Sequence, residues 1–167
     1  IYWANRHIRL DQSLYWSKYY QYQLFKQFNI PTMDVIALVR NGTLMDIGNN
    51  SMTFEKIIEK YLNKETDALF FKPEFGRGGK GIIVVSRKND SIFLNNKPTS
   101  HEELISTLMT GENYIVQERF IQSRKMAEIN SHSVNTLRIG TRMNDDNVEL
   151  SFCMLRMGTN NSFVDNM

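Results

Sequence analysis

The stretch Leu69-Phe70-Phe71-Lys72-Pro73-Glu74-Phe75-Gly76-Arg77-Gly78-Gly79-Lys80-Gly81-Ile82 decides how this chain is read. Ala68 to Pro73 reads as a short buried strand, and the β-branched run Ile82-Ile83-Val84-Val85 as the next. Between them Gly76, Gly78 and Gly81 match G-x-G-x-x-G. A dinucleotide-binding loop opens into a helix whose N-terminus takes the pyrophosphate, whereas this loop opens into a strand. A Walker A loop has Ser or Thr after its lysine, but here Gly81 follows Lys80. A protein-kinase glycine loop lies between strands, yet its lysine comes after the loop, and neither His-Arg-Asp nor Asp-Phe-Gly follows here. What remains is a strand–loop–strand flap with Lys72 just ahead of it. Glycines let backbone N–H groups approach phosphate oxygens closely. Arg77 and Lys80 add positive charge, and Lys72 reaches a phosphate as a point charge. A glycine-rich hairpin turn with unrelated basic residues is the competing reading.

Upstream, Leu10 to Asn29 contains no Gly or Pro, and Trp16, Tyr20, Leu24 and Phe28 recur at helical spacing. Asn29-Ile30-Pro31 ends that helix, because the residue before proline avoids the helical region. Met33 to Arg40 reads as a strand, Asn41-Gly42 as a hairpin turn and Leu44 to Ile47 as its return. Thr53 to Leu62 reads as a short helix capped by Ser51 or Thr53. Downstream, the strand from Ile82 is expected to continue through Ile92-Phe93-Leu94. Ser100 followed by Glu103 has capping-box spacing and starts a helix. Tyr114 to Gln117 reads as a strand. Val134 to Met143 and Val148 to Met157 read as an antiparallel hairpin around Asn144 to Asn147. This order predicts an α+β fold with antiparallel sheets.

The 167 residues are 41% hydrophobic and 23% charged, which suits one compact domain or a piece of a larger one. Twenty Lys and Arg against 18 Asp and Glu leave +2, without the basic excess of a nucleic-acid binder, so no nucleic-acid partner is expected. One cysteine, Cys153, excludes an intramolecular disulfide and a Cys-based zinc site, and it reads as core. His7, His101 and His132 show no ligand spacing. No leader pattern and no long apolar run occur, and the expected setting is cytoplasmic. The start at Ile1 and the end at Met167 lead us to expect a fragment. Nine of the 19 aromatics precede residue 30. Their expected role is packing, with a partner- or membrane-interface helix as the alternative.

These stretches resemble the ATP-grasp superfamily. Leu69 to Ile82 looks like its lysine-proline plus glycine-flap motif. Ile115-Val116-Gln117-Glu118-Arg119-Phe120-Ile121 looks like the hinge between its two lobes. Ser133-Val134-Asn135-Thr136-Leu137-Arg138, with Arg156-Met157-Gly158 and Val164-Asp165-Asn166, resembles the sugar-transfer-associated branch. Lys18, thirteen residues before Pro31, is similar to the family's first phosphate lysine.

The resemblance implies an ATP-grasp-like fold in which two small α+β lobes clamp a nucleotide. It implies an N-terminal helical segment over 1–30, a small lobe with the flap over 31–113, and the start of the C-terminal lobe over 114–167, with the rest of that lobe missing. The implied cofactors are ATP and Mg2+, and the implied reaction is ligation through an acyl phosphate. Lys18 and Lys72 would hold the α- and β-phosphates. Gly76, Arg77, Gly78, Gly79, Lys80 and Gly81 would close over the γ-phosphate. Gln117, Glu118, Arg119, Phe120 and Ile121 would serve the adenine. Arg138 and Arg156 are the implied catalytic residues, each offering a planar fork to a phosphate or a substrate carboxylate. On a regular strand Thr136, Arg138 and Arg142 share one face and Asn135 points opposite, which favours Arg138. No metal ligand is assigned within the chain, because the family's magnesium carboxylates are expected beyond Met167; the chain alone is therefore expected to be inactive. The implied partner is a carboxylate-bearing small molecule or sugar, in cell-surface polysaccharide biosynthesis. A phosphotransferase and a non-catalytic nucleotide-binding module are the alternatives.

Overall fold

The computed structural model describes residues 16–63 and 68–158. Leu10 to Tyr15 of the expected first helix, His7, and the Val164-Asp165-Asn166 stretch lie outside the described residues. The architecture is α+β, with antiparallel sheets throughout the described residues. The chain divides into two units, residues 1–119 and 120–167.

The first unit is built on a seven-stranded sheet. Its strands are β1 (Ala37–Arg40), β2 (Thr43–Asp46), β3 (Ala68–Pro73), β4 (Ile83–Lys88), β5 (Ser91–Leu94), β6 (Lys97–Thr99) and β7 (Tyr114–Glu118), in the order β2-β1-β7-β3-β4-β5-β6. Asn41 and Gly42 both take positive φ between Arg40 and Thr43, the two-residue turn that a right-twisted hairpin prefers. The strand expected to run from Ile82 through Leu94 is instead two strands, β4 and β5, paired antiparallel around Asn89 and Asp90. Asn89 sits at φ 51, where asparagine is tolerated better than most residues. Tyr114–Glu118, expected to open the second lobe, lies near the centre of this sheet between β1 and β3.

Two helices cover one face of the sheet. α2 (Phe54–Tyr61) is capped by Thr53, whose side chain accepts from Lys56 N–H. α3 (His101–Leu108) is capped by Ser100, which accepts from Glu103 N–H, while the Glu103 carboxylate takes Thr99 Oγ1–H. Phe54, Ile57, Ile58, Leu104 and Leu108 from these helices meet Ala37, Val39, Leu69, Phe71, Ile83, Val85 and Val116 from the sheet in one buried core. Burying this apolar surface stabilises the unit by about 25 cal/mol for each Å² removed from water.

The opposite face carries the remaining helix, α1 (Lys18–Gln27), preceded in the chain by its N-cap Ser17. Tyr19 and Tyr22 pack there with Val35, Leu38 and Ile115. The apolar residues of α1 and its two ends therefore divide. The two tyrosines contact the sheet, while Trp16, Tyr20, Leu24 and Phe28, four apart, line an exposed edge.

The second unit holds α4 (Arg124–Ile129), which the sequence reading does not anticipate, and a hairpin of β8 (Thr136–Asn144) and β9 (Asn147–Arg156). Ser123 caps α4 through Met126 N–H. Among the described residues no helix is long and apolar enough to cross a membrane.

Candidate functional site

Strand β3 sorts its side chains by alternation. Leu69 and Phe71 enter the core, so Phe70 and Lys72 emerge on the face that also carries α1. Opposite them on β7, Lys72 pairs with Ile115 and Phe70 with Gln117, which places Lys72 and Gln117 on one face in diagonal positions. The Lys72 Nζ donates to Gln117 Oε1 at 2.9 Å, and Gln117 Nε2 donates to the Met33 carbonyl at 3.2 Å. The ammonium lies 5.9 Å from the Phe70 ring centroid. Burial lowers the Lys72 pKa below the ordinary 10.5, and the positive charge of Lys18 lowers it further.

Lys18 reaches the same region from the first residue of α1. Its Nζ donates to the Pro73 carbonyl at 2.6 Å and to the Gly76 carbonyl at 3.0 Å. Its backbone N–H donates to Glu74 O at 3.0 Å, and Ser17 forms a β-bridge with Phe75. Burial lowers the Lys18 pKa too, while Glu74 and Glu112 pull it back upward. Two ammonium groups with depressed pKa values thus meet at the root of the glycine loop. Neither carries a carboxylate directly on its Nζ among the described contacts.

The loop's conformation depends on its glycines at two positions. Gly81 has φ +72, and a Cβ there would stand 2.9 Å from Pro73 Cγ, so the loop packs on the proline ring only because that side chain is absent. Gly78 has φ +67 and open space where a side chain would go. Within the loop, Lys80 N–H reaches Arg77 O at 3.4 Å and Ile82 N–H reaches Gly79 O at 3.5 Å, both long for hydrogen bonds. Arg77 stacks on Trp16 with its guanidinium carbon 3.6 Å from the ring centroid. Lys80 is exposed at the tip. The result is a loop fastened at its root and loosely bonded beyond it.

A family model described as sugar-transfer associated ATP-grasp matches residues 10–167. The chain belongs to that family. No curated protein and no solved structure matches the chain. Membership makes it an ATP-binding domain of ligase or transferase type. Magnesium, the family's usual companion of ATP, finds no group of three or more His, Cys, Asp or Glu side chains among the described residues, so no residue here is assigned to it.

Within this ATP-grasp chain the other expected site residues fall into two groups. Gln117 is buried, and its side chain serves Lys72. Glu118 is exposed at the end of β7, where it pairs with Leu69, and Arg119 N–H continues the ladder to Ala68 O at 2.9 Å. Phe120 and Ile121, with which the second unit begins, are exposed.

The arginines belong to the hairpin. Thr136 pairs with Arg156 and Arg138 with Met154, which puts Arg138 and Arg156 diagonally on one face. Gly140 pairs with Phe152 and Thr141 with Leu150, leaving Ser151 as an extra residue, a bulge that breaks the alternation of β9 while paired residues share a face on either side of it. The other face is apolar, with Leu137, Ile139 and Met143 across from Leu155, Cys153 and Val148. Cys153, expected in the core, is exposed on that face. Arg142 shares the arginine face but is held by Glu149 at 2.6 Å. Asn135 is buried before the hairpin, donating its amide to the carbonyls of Met126 and Asn130 while its N–H donates to Gln122 Oε1. It ties α4 to the base of the hairpin.

Three residues around the loop carry no signal that sequence reading can use. Glu74, buried between Pro73 and Phe75, accepts from Ser17 Oγ at 2.6 Å and from Arg40 Nη2 at 3.2 Å. Ser17 and Arg40 stand 57 and 34 residues away in sequence, and only the fold brings them to this carboxylate.

Proposed function

We propose that this chain is the ATP-holding part of an ATP-grasp ligase that activates a carboxylate as an acyl phosphate for attack by an amine or another nucleophile. The observation that carries this reading is the convergence of Lys18 and Lys72 at the root of a glycine loop. ATP supplies the γ-phosphoryl group, and the protein's work is positioning and charge neutralisation. Lys18 and Lys72 neutralise the α- and β-phosphates. The segment Gly76 to Gly81 closes over the γ-phosphate and keeps water from an acyl phosphate that water would destroy. The backbone of Glu118 to Ile121 meets the adenine. Arg138 and Arg156 hold the acceptor's carboxylate or the phosphoryl group in flight. The family's association with sugar transfer supports an acceptor of sugar or small-acid chemistry in cell-surface polysaccharide synthesis. An ATP-consuming site of this kind belongs in the cytoplasm.

The reading has a pH signature. A bound polyphosphate favours the charged form of both lysines and so raises their pKa values. ATP binding therefore takes up protons on the alkaline side, and affinity falls as pH rises through the lowered lysine pKa values, beginning below 10.5. Titration calorimetry at about pH 7.5 and about pH 10.5, where a lysine with a lowered pKa is less than half protonated, should show weaker binding at the higher pH, with proton uptake in buffers of differing ionisation heat. Equal affinity at the two pH values, with the fold intact, contradicts phosphate capture by these lysines.

A further inference from the structure

The geometry points to Glu74 as a positioning residue of the nucleotide site, one that sets Lys18 against the glycine loop without touching nucleotide itself. This rests on the ATP reading above. A carboxylate 2% exposed is costly to bury unless it is paired and hydrogen-bonded. Here it is both. Oε1 takes the Ser17 hydroxyl at 2.6 Å, and Oε2 stands 3.1 Å from Arg40 Nη2.

These partners join three pieces of the unit that local sequence leaves separate. Ser17 is the N-cap of α1, and its Oγ also accepts from Tyr20 N–H at 3.2 Å. Arg40 ends β1, and its guanidinium carbon sits 5.2 Å from the Tyr19 ring centroid on α1. Glu74 follows Pro73 directly, and its backbone continues the join: its N–H donates to Asn113 O at 2.8 Å and its carbonyl accepts from Lys18 N–H at 3.0 Å. The carboxylate therefore fixes the first turn of α1 at the end of β3, and Lys18 is the first residue of that turn.

The consequence for Lys18 is geometric. Its Nζ can reach Pro73 O and Gly76 O only while the start of α1 lies against Glu74 and Phe75. Glutamine in place of Glu74 keeps the shape and one acceptor oxygen but gives up the charge that Arg40 and the Ser17 hydroxyl engage. The start of α1 then loosens, and with it the placement of Lys18.

The test is a double-mutant cycle read by ATP titration of the whole 167-residue chain. Glu74→Gln alone should weaken ATP binding roughly tenfold, and Lys18→Met alone by at least as much. If Glu74 acts through Lys18, then adding Glu74→Gln to Lys18→Met should change the affinity by less than about twofold. Should Glu74→Gln fail to fold, Ser17→Ala removes the hydroxyl's bond to the carboxylate together with its cap on Tyr20 N–H, and should weaken binding at least about threefold, again with no further effect on the Lys18→Met background. Multiplying losses would mean that Glu74 merely supports the fold, and would overturn the inference. A chain that loses ATP with Lys18→Met but keeps it with both Glu74→Gln and Ser17→Ala would overturn this inference and leave the ATP reading standing. A wild-type chain that binds no ATP would overturn both.

Discussion

Lys72→Met is expected to weaken ATP binding by about ten- to a hundredfold, the worth of one charge-assisted hydrogen bond at roughly 1.5–3 kcal/mol. Methionine keeps most of the side chain's length and its apolar stem while removing the charge. The same change should alter the fold's stability little at neutral pH, because relief from burying a charge is offset by loss of the donor to Gln117 Oε1. Lys72 has a folded-state pKa below its unfolded value of 10.5, so the cost of burying its charge is present in full below the folded value. That cost is relieved only as pH rises through it. Methionine removes the cost at every pH, and the variant should lose this group's part of the alkaline rise in stability. Calorimetry for binding and urea unfolding for stability check the two halves separately. Unchanged ATP affinity would show that this ammonium does not meet the phosphates.

The neighbouring residue should behave in the opposite way. Phe71→Ala is expected to cost about 3–5 kcal/mol of stability, the usual range for deleting a buried phenyl ring. Phe71 is 1% exposed and stands with its ring centroid 6.2 Å from that of Phe54 on α2. Its cross-strand partners are Ile83 and Val116, both buried. The surrounding buried residues close only part of the space that the ring leaves, so the cavity adds to the cost of the lost burial. Against a total of about 5–15 kcal/mol for an ordinary domain, such a loss removes a large share. Urea unfolding followed by far-UV circular dichroism should show it as a much lower midpoint with the slope nearly unchanged. A loss under about 1 kcal/mol would mean that Phe71 does not sit in the core as described. The contrast between residues 71 and 72 follows from strand alternation alone: one face of β3 holds the unit together, and the other presents Lys72 to the candidate site.

What could be read from the sequence was what neighbouring residues decide. The strand Ala68–Pro73, the Asn41-Gly42 turn, the Ser100 cap and the long terminal hairpin all have local causes, and all appear at the positions their residues predict. The β4–β5 turn was hidden because Lys88-Asn89-Asp90-Ser91 has no glycine or proline to mark it. α4 was missed because six residues cannot display a helical period. The place of Tyr114–Glu118 depends on which strands flank it, and a short apolar run does not say. At the candidate site, Lys72 and the loop were legible because lysine in an apolar strand ahead of closely spaced glycines is an unusual combination. The Gln117–Lys72 bond and the Ser17–Glu74–Arg40 cluster were not, since both are products of cross-strand register and helix docking.

The central claim is that a polyphosphate is held by the glycine loop and the two lysines at its root. Amide hydrogen exchange with and without saturating ATP tests it most directly. The loop's few and long backbone hydrogen bonds leave its amides open to solvent exchange in the free chain. The account predicts that ATP slows exchange across residues 76–82 more than anywhere else in the first unit. ATP that binds while residues 76–82 exchange at an unaltered rate would contradict it.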